Sequence, residues 1–490
     1  PFVRLRTGIY DPEIVKLVSC DTARRLQVLP LQRLRGELAL ATMDPQAIPA
    51  FDEIEQKLGC RVRPVLACRE DILAAINEAY DADAGSIELV GDVDDDFAVV
   101  ENQVPDDYSA IDEMAEGSPV INLVNSIVQR AVRDGASDIH IEPSRSKCRV
   151  RFRIDGVLYE VTTLRHELHP ALVSRLKVMA NLDIAERRMP QDGRIQVHTQ
   201  GRAVDLRFSS LPGLFGEKIV LRVLDKNQSL LDVNKLGMSD GNLASFKGLL
   251  DNSNGLILVT GPTGSGKTTS LYAALNHLNS IEKNIVTIED PVEYQIVIVN
   301  QNEVHDKIGL SFSTILRHTL RQDPDIVMVG EIRDRETAEI AVQAALTGHL
   351  VLSTLHTNHA IGAITRMIDM GVEPYLLSSA LIGVIAQRLV RTICPECLTH
   401  YVATPELMRR YGWEGEGQVR LARGRGCPEC YDSGYRGRVG IHEVLEVDEE
   451  LQRLVTSNPG RDELLQYLKG RNVATLFDDG LDHVRHGHTT

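Results

Sequence analysis

One stretch of this 490-residue chain indicates the fold of its core: Leu256-Ile-Leu-Val-Thr-Gly261-Pro-Thr-Gly-Ser-Gly-Lys267-Thr268. Its first part is an apolar strand, and the apolar residues that follow Thr268 favour a helix. Between them lies the P-loop pattern G-x-x-x-x-G-K-[ST], whose glycines let backbone N–H groups surround phosphate oxygens at a helix N-terminus. We therefore predict a nucleotide site in which Lys267 reaches the β- and γ-phosphates and Thr268 ligates Mg²⁺. The predicted nucleotide-binding residues of the loop are Gly261, Pro262, Thr263, Gly264, Ser265, Gly266, Lys267, Thr268 and Thr269.

Three later strands end in polar residues that can serve this site. The apolar run 285–288 is followed by Glu289, the run 326–329 by Gly330 and Glu331, and the run 350–355 by His356. In an open parallel sheet, ligands lie beyond the carboxyl ends of the strands. Acidic residues there hold Mg²⁺ or orient the attacking water. We predict that Glu289, Glu331, Lys267 and His356 are catalytic, without deciding which glutamate is the general base. A histidine at a strand end is, by itself, more often structural.

Alternating strand and helix patterns around these runs predict a parallel sheet with crossover helices. The predicted segments are 1–80, a small α/β docking module; 81–117, an acidic flexible linker; 118–228, a compact α+β domain; 229–390, the P-loop core; 391–436, a cysteine-marked subdomain; and 437–490, a helical subdomain. The linker contains 13 acidic residues and no Lys or Arg. Like charges repel and little apolar surface can be buried there, so we expect it to be mobile.

Apolar periodicity also predicts elements in the two segments that precede the core. In segment 1–80 these are strands over 37–41 and 62–66 and helices over 44–58 and 70–80; in segment 118–228 they are a helix over 120–133 and strands over 139–141, 148–154, 204–208 and 218–223.

Four of the eight cysteines form two C-x-x-C pairs, Cys394/Cys397 and Cys427/Cys430. Each pair supplies half of a tetrahedral Cys₄ zinc site. The 29 residues between the pairs exceed the usual zinc-ribbon spacing, so we expect a protruding loop there. All four positions are sulfur, which predicts structural rather than catalytic Zn²⁺.

Composition narrows the classes of function. The net charge is −16 and aromatic residues make up 4% of the chain. A nucleic-acid translocase needs a basic channel and stacking aromatics, so this alternative is disfavoured, and we expect no nucleic-acid partner. A nucleotide-binding scaffold without turnover is a second alternative. No apolar run approaches the ~20 residues of a membrane-spanning helix, and no signal peptide is visible, so we expect a soluble intracellular protein.

A set of motifs carries a family resemblance. They are Gly135–Pro143, Arg188–Arg194, the P-loop, Ile288–Glu293, Val329–Asp334, Thr347–Asn358 and the four cysteines. With them, the chain resembles the secretion ATPases of bacterial type II secretion systems, and closely behind them the type IV pilus extension ATPases. The match covers about residues 118–445, and residues 1–80 resemble the family's N-terminal docking domain more loosely. Residues 362–366 and 369–377 favour the secretion branch.

The resemblance implies an α/β multidomain motor: a hexamer with a RecA-like P-loop ATPase core, preceded by a PAS-like α+β domain and the docking domain, and followed by the zinc-binding tetracysteine subdomain. Such a motor couples ATP hydrolysis, with Mg²⁺, to pseudopilus assembly and protein export. The expected partner is the cytoplasmic domain of an inner-membrane platform protein, which the N-terminal domain would bind. The expected location is the cytoplasm, at the inner membrane through partners. Residues that match the family's phosphate-contacting arginines, across the cleft or the subunit boundary, are Arg207, Arg222, Arg317 and Arg321.

Two departures from the family stand out. The segment 296–300 is apolar where relatives usually carry a glycine. The glycine- and leucine-rich signature of second-messenger-binding N-terminal domains is not visible, so we do not predict that activity.

Overall fold

We analysed a computed structural model of the chain. It describes residues 12–15, 17–34, 37–45, 47–68, 71–73, 75–76, 98–99, 119–225, 232–413, 417–471 and 473–490. The chain divides into two compact units, one formed by Pro1–Ile154 and Leu158–Asp225 and the other by Asp155–Val157 and Lys226–Thr490. Within the described residues, no helix is both long and apolar enough to cross a membrane.

The N-terminal part of the first unit is a small α/β module. Its strands are β1 (Val28–Leu34), β2 (Glu37–Thr42) and β3 (Arg61–Leu66), and its helices are Pro12–Val15, Cys20–Leu26 and Ile48–Leu58. Strand β2 lies between antiparallel β1 and parallel β3, and Ile48–Leu58 makes the crossover that a parallel pair requires.

The helix predicted over 44–58 begins at Ile48 instead. Pro49 lies in its first turn, and the N–H of Asp44 donates to Thr42 Oγ1 at 3.2 Å, so a turn precedes the helix. Of the helix predicted over 70–80, residues 71–73 and 75–76 are helical and the rest lie outside the described residues.

The second part of the first unit is an antiparallel sheet with two helices, Pro119–Arg133 and His169–Met179. Its strands are β4 (Ala98–Val99), β5 (Asp138–Pro143), β6 (Lys147–Ile154), β7 (Val157–Arg165), β8 (Gln191–Thr199), β9 (Arg202–Gly213) and β10 (Gly216–Asp225), in the order β4-β8-β9-β10-β5-β6-β7. Every strand predicted between 118 and 228 is present, usually longer than predicted. Strand β4 lies inside the predicted linker and pairs with β8, whereas the remainder of 81–117 lies outside the described residues.

The second unit is built on one seven-stranded sheet. The strands of this unit are β11 (Gly255–Thr260), β12 (Ile285–Glu289), β13 (Asn300–Glu303), β14 (Ile326–Val329), β15 (Leu350–Leu355), β16 (Leu381–Ile393), β17 (Leu398–Val402), β18 (Arg420–Gly424) and β19 (Tyr435–Glu446). The sheet order is β13-β12-β14-β15-β11-β16-β19, and β17 pairs separately with β18. All neighbouring strands from β13 to β16 pair in parallel, as predicted, and β19 runs antiparallel to β16.

Helices pack on both faces of this sheet. The helices of this unit are Asp240–Leu250, Lys267–Leu278, Phe312–Thr319, Arg335–Leu346, Ala360–Asp369, Pro374–Ala380, Pro405–Arg410, Glu449–Thr456, Arg461–Arg471 and Leu476–Arg485. All residues of β11 are buried, with Leu256 and Leu258 in one hydrophobic cluster and Ile257 and Val259 in another. Successive side chains of a strand point to opposite faces, so a strand between two cores is apolar throughout.

The prediction of a helical segment over 437–490 is wrong at its beginning. Strand β19 crosses the predicted boundary at 436/437 and adds the last strand to the core sheet. The protruding loop predicted between the cysteine pairs is also more structured than expected. It contains β17, β18, the helix Pro405–Arg410 and a small core around Trp413. This long insertion separates β16 from β19, so the hydrophobic periodicity of the sequence does not indicate that the two strands pair.

The segment 296–300, which is apolar up to Val299, turns at residues 297 and 298. Ile298 has φ of 77°, in the left-handed region, and its side chain is exposed. A β-branched residue is an outlier in this region, because its Cβ crowds the following carbonyl. The departure noted in the sequence therefore lies at a position whose backbone favours glycine.

His442 on β19 predicts an acid-sensitive core. Its side chain is 1% exposed, and its Nδ1 has no hydrogen-bond partner among the described residues. Burial, together with nearby His483, lowers the pKa of His442 to about 4. The unfolded chain binds a proton at this residue near pH 6.5, whereas the folded chain does not.

Stability should therefore fall as the pH is lowered from 6.5 to 4, by about 3 kcal/mol from this residue. We expect His442→Gln to remove that part of the fall in thermal midpoint between pH 7 and pH 4.5. His400→Gln, at an exposed position on β17, is the control and should keep the wild-type pH profile. Equal acid sensitivity in both variants would contradict the assignment.

Candidate active site

A cavity of about 430 Å³ opens at the carboxyl ends of β11, β12, β14 and β15. This is the edge at which the sequence predicted a nucleotide site. The residues that line it are Thr263, Gly264, Gly266, Lys267, Thr268, Thr269, Leu271, Tyr272, Glu289, Asp290, Pro291, Glu293, Phe312, Met328, Gly330, Glu331, Thr354, His356, Leu389 and Arg438. All four residues predicted to be catalytic are in this lining.

Lys267 begins the helix Lys267–Leu278, after Gly266 in the left-handed conformation. Its side chain is 8% exposed, and its ammonium donates to the carbonyls of Gly261 at 2.9 Å and Pro262 at 3.2 Å. Burial lowers its pKa, and the charge of Glu331 partly opposes that shift. The ammonium group is thus held over the loop, beside the positive N-terminal end of a helix. A phosphate bound there would interact with the ammonium group and with the helix end.

Glu289 ends β12 as a buried carboxylate, 4% exposed. One oxygen accepts hydrogen bonds from Thr287 Oγ1 at 2.6 Å and from Gln301 Nε2 at 3.1 Å. The other accepts from the Tyr272 hydroxyl. Burial, followed by the charge of Glu289, raises the pKa of Tyr272, so the phenol remains a donor. These three donors fix the orientation of the carboxylate.

Glu331 is held differently, between an arginine and a histidine. One oxygen pairs with Arg333 Nη2, and the other lies 3.3 Å from His356 Nε2. Burial alone would raise the pKa of Glu331, but the contacts with Arg333 and His356 outweigh it, so that the pKa lies below its usual value. Glu331 is therefore an ionised carboxylate at neutral pH, and it faces the P-loop cavity.

Hydrogen bonds between β14 and β15 bring Glu331 and His356 together. Ser353 Oγ donates to the carbonyl of Val329 at 2.8 Å, and Thr354 Oγ1 donates to that of Gly330 at 2.7 Å. The hydroxyls supplement the parallel ladder at the point where it ends. The pair Glu331 and His356 is thus set by the register of two buried strands.

The four arginines that were predicted to contact phosphate are not among the residues that line the cavity. Arg317 is on the helix Phe312–Thr319, and Arg321 lies just after the end of that helix. Neither residue lines the cavity. Arg317 pairs with Glu336 at 2.7 Å, and Arg321 donates to His318 Nδ1 at 2.6 Å. Arg207 and Arg222 are cross-strand partners on β9 and β10 of the first unit, and Arg222 Nε lies 3.3 Å from Asp138 Oδ1.

Sequence reasoning missed several residues of the cavity. Tyr272 lies one turn into the P-loop helix, and its role depends on a contact with Glu289 seventeen residues later. Leu389 and Arg438 come from β16 and β19, which the sheet pairing brings beside the P-loop. Arg333 pairs with Glu331 from outside the cavity lining, and it carried a local signal because it lies two residues after that glutamate.

The four predicted zinc ligands converge. Their Sγ atoms all lie within 4.8 Å of one another, with 3.8 Å between Cys394 and Cys427 and 3.9 Å between Cys397 and Cys430. A tetrahedral ion with Zn–S bonds of 2.3 Å requires sulfur atoms about 3.8 Å apart, so the cluster fits zinc. Burial would raise the pKa of Cys430, but the N–H groups of Cys427 and Gly434 outweigh it and lower that pKa to about 7. The thiolate required for a metal ligand is thereby favoured.

We expect Cys430→Ser to lose most bound zinc and to loosen the segment between the cysteine pairs, because three ligands hold the ion less well than four. Metal analysis and limited proteolysis measure the two effects. Cys68→Ser, at an exposed cysteine outside the cluster, should retain one zinc per chain. Wild-type protein that contains no zinc when purified without chelators would contradict the assignment.

Comparison with known families gives two matches, which together cover most of the chain. Residues 113–490 match the family described as type II/IV secretion system protein, and residues 1–86 match the MshEN domain. The chain is 49% identical to the type II secretion system ATPase E of Vibrio cholerae, over 93% of this chain and 91% of the relative. It is 45% identical to the type IV pilus assembly ATPase PilB of Myxococcus xanthus, over 100% of this chain and 87% of the relative.

Two solved structures are also similar to this chain. The pilus retraction motor PilT with bound ADP superposes with a TM-score of 0.50 at 28% sequence identity, over 74% of this chain and 93% of that one. The DotB ATPase of Legionella pneumophila gives a TM-score of 0.55 at 21% identity, over 75% and 92% of the chains, and shows a similar fold.

Proposed function

The chain belongs to the type II/IV secretion system protein family and is an ATP-hydrolysing enzyme, and on that premise we propose that it is the motor ATPase of a type II secretion system. It would couple ATP hydrolysis to pseudopilus assembly and protein export. The observation that carries the proposal is the convergence of Lys267, Glu289, Glu331 and His356 on one cavity at the strand ends of the P-loop sheet.

In this proposal, the P-loop N–H groups and Lys267 bind the β- and γ-phosphates. Thr268, exposed to the cavity, would ligate the Mg²⁺ that arrives with ATP, and that ion neutralises charge on the transferred phosphoryl group. Glu331 stays ionised because Arg333 and His356 lower its pKa, which suits a carboxylate that holds Mg²⁺-bound water. Glu289, fixed by three donors, suits the orientation of the attacking water.

His356 would connect Glu331 to the γ-phosphate. Its Nε2 lies 3.3 Å from Glu331, and the ring lines the cavity. A γ-phosphate offers a stronger anionic partner than a carboxylate that Arg333 already contacts. The loss of that phosphate on hydrolysis would return His356 to Glu331, so the histidine could report the state of the nucleotide.

The domain roles are proposed from the family. Residues 229–390 with β19 form the RecA-like core, residues 118–228 a PAS-like domain, and residues 391–436 a zinc-stabilised subdomain. Residues 1–80 would dock on the cytoplasmic domain of an inner-membrane platform protein and keep the motor at that membrane. Six copies would form a ring, in which ATP favours closure of the arginine-bearing domains on the phosphates and hydrolysis releases them.

Arg222→Ala tests this closure. Arg222 is exposed, and its partner, the buried Asp138, also pairs with Arg153 at 3.5 Å, so removal of Arg222 leaves that carboxylate a cationic partner and should leave the fold intact. We expect turnover to fall by about 10²-fold, because a charge-assisted contact to the developing phosphate charge is lost. Phosphate release at saturating ATP is the measurement. Arg145→Ala, an exposed arginine of the same unit, is the control and should retain wild-type turnover.

The pilus assembly ATPase remains the second candidate, because the pilus relative aligns over the whole chain at 45% identity. In the source bacterium, replacing Glu331 by Gln separates the two functions. The proposal expects exported enzymes to disappear from the culture medium while surface pili persist. Loss of pili with normal export would assign the chain to the pilus system instead.

A further inference from the structure

Gln387 is a buried polar residue beside the P-loop that the mechanism above does not use. It lies on β16, whose Ala386 pairs with Thr260 at the end of β11. Gln387 therefore stands next to the first residues of the loop, and its side chain is 2% exposed. It is not among the residues that line the cavity, so its contacts with the loop are made outside that lining.

Both ends of the Gln387 amide are occupied. Its Nε2 donates to the carbonyl of Ser265 at 2.7 Å, and its Oε1 accepts from Ser270 Oγ at 2.8 Å. Ser265 and Ser270 are themselves buried. One side chain thus ties the last turn of the P-loop to the first turn of the helix that follows it.

The same residue accounts for two glycines of the motif. A Cβ on Gly261 would lie 2.5 Å from the carbonyl oxygen of Gln387, and one on Gly266 would lie 3.1 Å from Gln387 Nε2. Gly264, in contrast, has no atom within 4 Å of such a Cβ and needs only its φ of 78°. Part of the glycine pattern therefore reflects close packing against β16, in addition to the turn geometry.

The contact with Ser265 has a consequence for phosphate binding. The carbonyl of Ser265 and the N–H of Gly266 belong to one planar, trans peptide, so they point in opposite directions. Gln387, which is outside the cavity lining, holds this carbonyl through its Nε2. The N–H of Gly266 therefore points away from Gln387, and Gly266 is itself a residue of the cavity lining.

We propose that Gln387 is a positioning residue for the reaction: it locks the Ser265–Gly266 peptide so that the Gly266 N–H is directed at the nucleotide phosphates. The inference rests on the ATPase activity of the chain and adds a residue outside the P-loop motif to its phosphate site. Preorganised N–H donors act without reorientation when charge develops, so the effect extends from binding to turnover.

The test compares Gln387→Leu with Ser270→Ala, with the affinity for Mg²⁺–ADP measured by calorimetry on folded, full-length protein. Gln387→Leu leaves the Ser265 carbonyl unpaired and the peptide free to rotate. We expect at least about a tenfold loss of ADP affinity and a rise in KM for ATP. Ser270→Ala removes the other partner of the same amide but leaves the peptide held, so its ADP affinity should stay within about threefold of wild type.

Gln387→Glu provides a second reading if the leucine variant does not fold. A protonated carboxyl can donate to the Ser265 carbonyl, whereas an ionised one cannot. The loss of ADP affinity relative to wild type should therefore be larger at pH 8 than at pH 6. Wild-type affinity in Gln387→Leu, an equal loss in Ser270→Ala, or a loss in Gln387→Glu that does not change with pH would overturn the proposal. Failure of the wild-type chain to bind ADP would count against the ATPase assignment instead.

Discussion

Lys267→Ala should abolish ATP turnover, with kcat/KM reduced by on the order of 10³-fold or more. The ammonium is the one cationic group among the predicted P-loop residues, and the fold holds it over the loop through the carbonyls of Gly261 and Pro262. Without it, the helix N-terminus and the loop N–H groups must bind the triphosphate alone. Binding should weaken together with turnover, because the ammonium contacts the phosphates in the ground state and in the transition state.

The control is Lys283→Ala, which removes an exposed lysine of the same unit beyond the end of the P-loop helix. Phosphate release and nucleotide affinity, measured on both variants, separate a site effect from a change in net charge. Unchanged kcat/KM in Lys267→Ala would reject the P-loop assignment.

Glu331→Gln should give the second largest effect, a fall in kcat of about 10²–10³-fold with ADP affinity close to wild type. Glutamine keeps the size of the side chain and one oxygen acceptor, but loses the negative charge that, in the proposed mechanism, would hold the Mg²⁺-bound water. The charge is normally secured by Arg333 and His356, which lower the pKa of Glu331. The loss should therefore fall on the chemical step.

Glu339→Gln is the matched control, because Glu339 is an exposed glutamate paired with Arg335 on the helix that follows. It should retain wild-type kcat. Near-normal turnover in Glu331→Gln would contradict the proposed role. A parallel loss of ADP affinity would instead indicate that the carboxylate organises the ground-state site.

Much of the core fold could be predicted because its strands are buried on both faces. Runs such as 256–259 and 326–329 are apolar throughout, bounded by turns, and spaced by helices, which leaves few topologies. Strand β19 could not be predicted in the same way. Its partner β16 precedes it by more than forty residues, and the intervening segment contains the cysteine cluster and a separate strand pair. Pairing across such an insertion leaves no periodic trace.

The residues of the candidate site show the same difference between local signals and long-range pairing. Lys267, Glu289, Glu331 and His356 were identifiable because each lies next to an apolar strand and the strands end at one edge. Gln387 and Arg438 were not, since they reach the P-loop only through the pairing of β16 with β11 and β19. Arg317 and Arg222 were selected by family resemblance, and each has an acidic partner in the described structure. Their role remains a proposal that depends on domain closure.

We propose that the chain hydrolyses ATP as an assembled ring. The most direct test is to measure phosphate release per chain across a range of protein concentrations. Ultracentrifugation under the same conditions gives the fraction assembled. Turnover per chain should rise steeply with assembly, because the proposed mechanism requires the arginine-bearing domain to close on the phosphates. A strictly monomeric sample that hydrolyses ATP as fast per chain as the assembled form would contradict it.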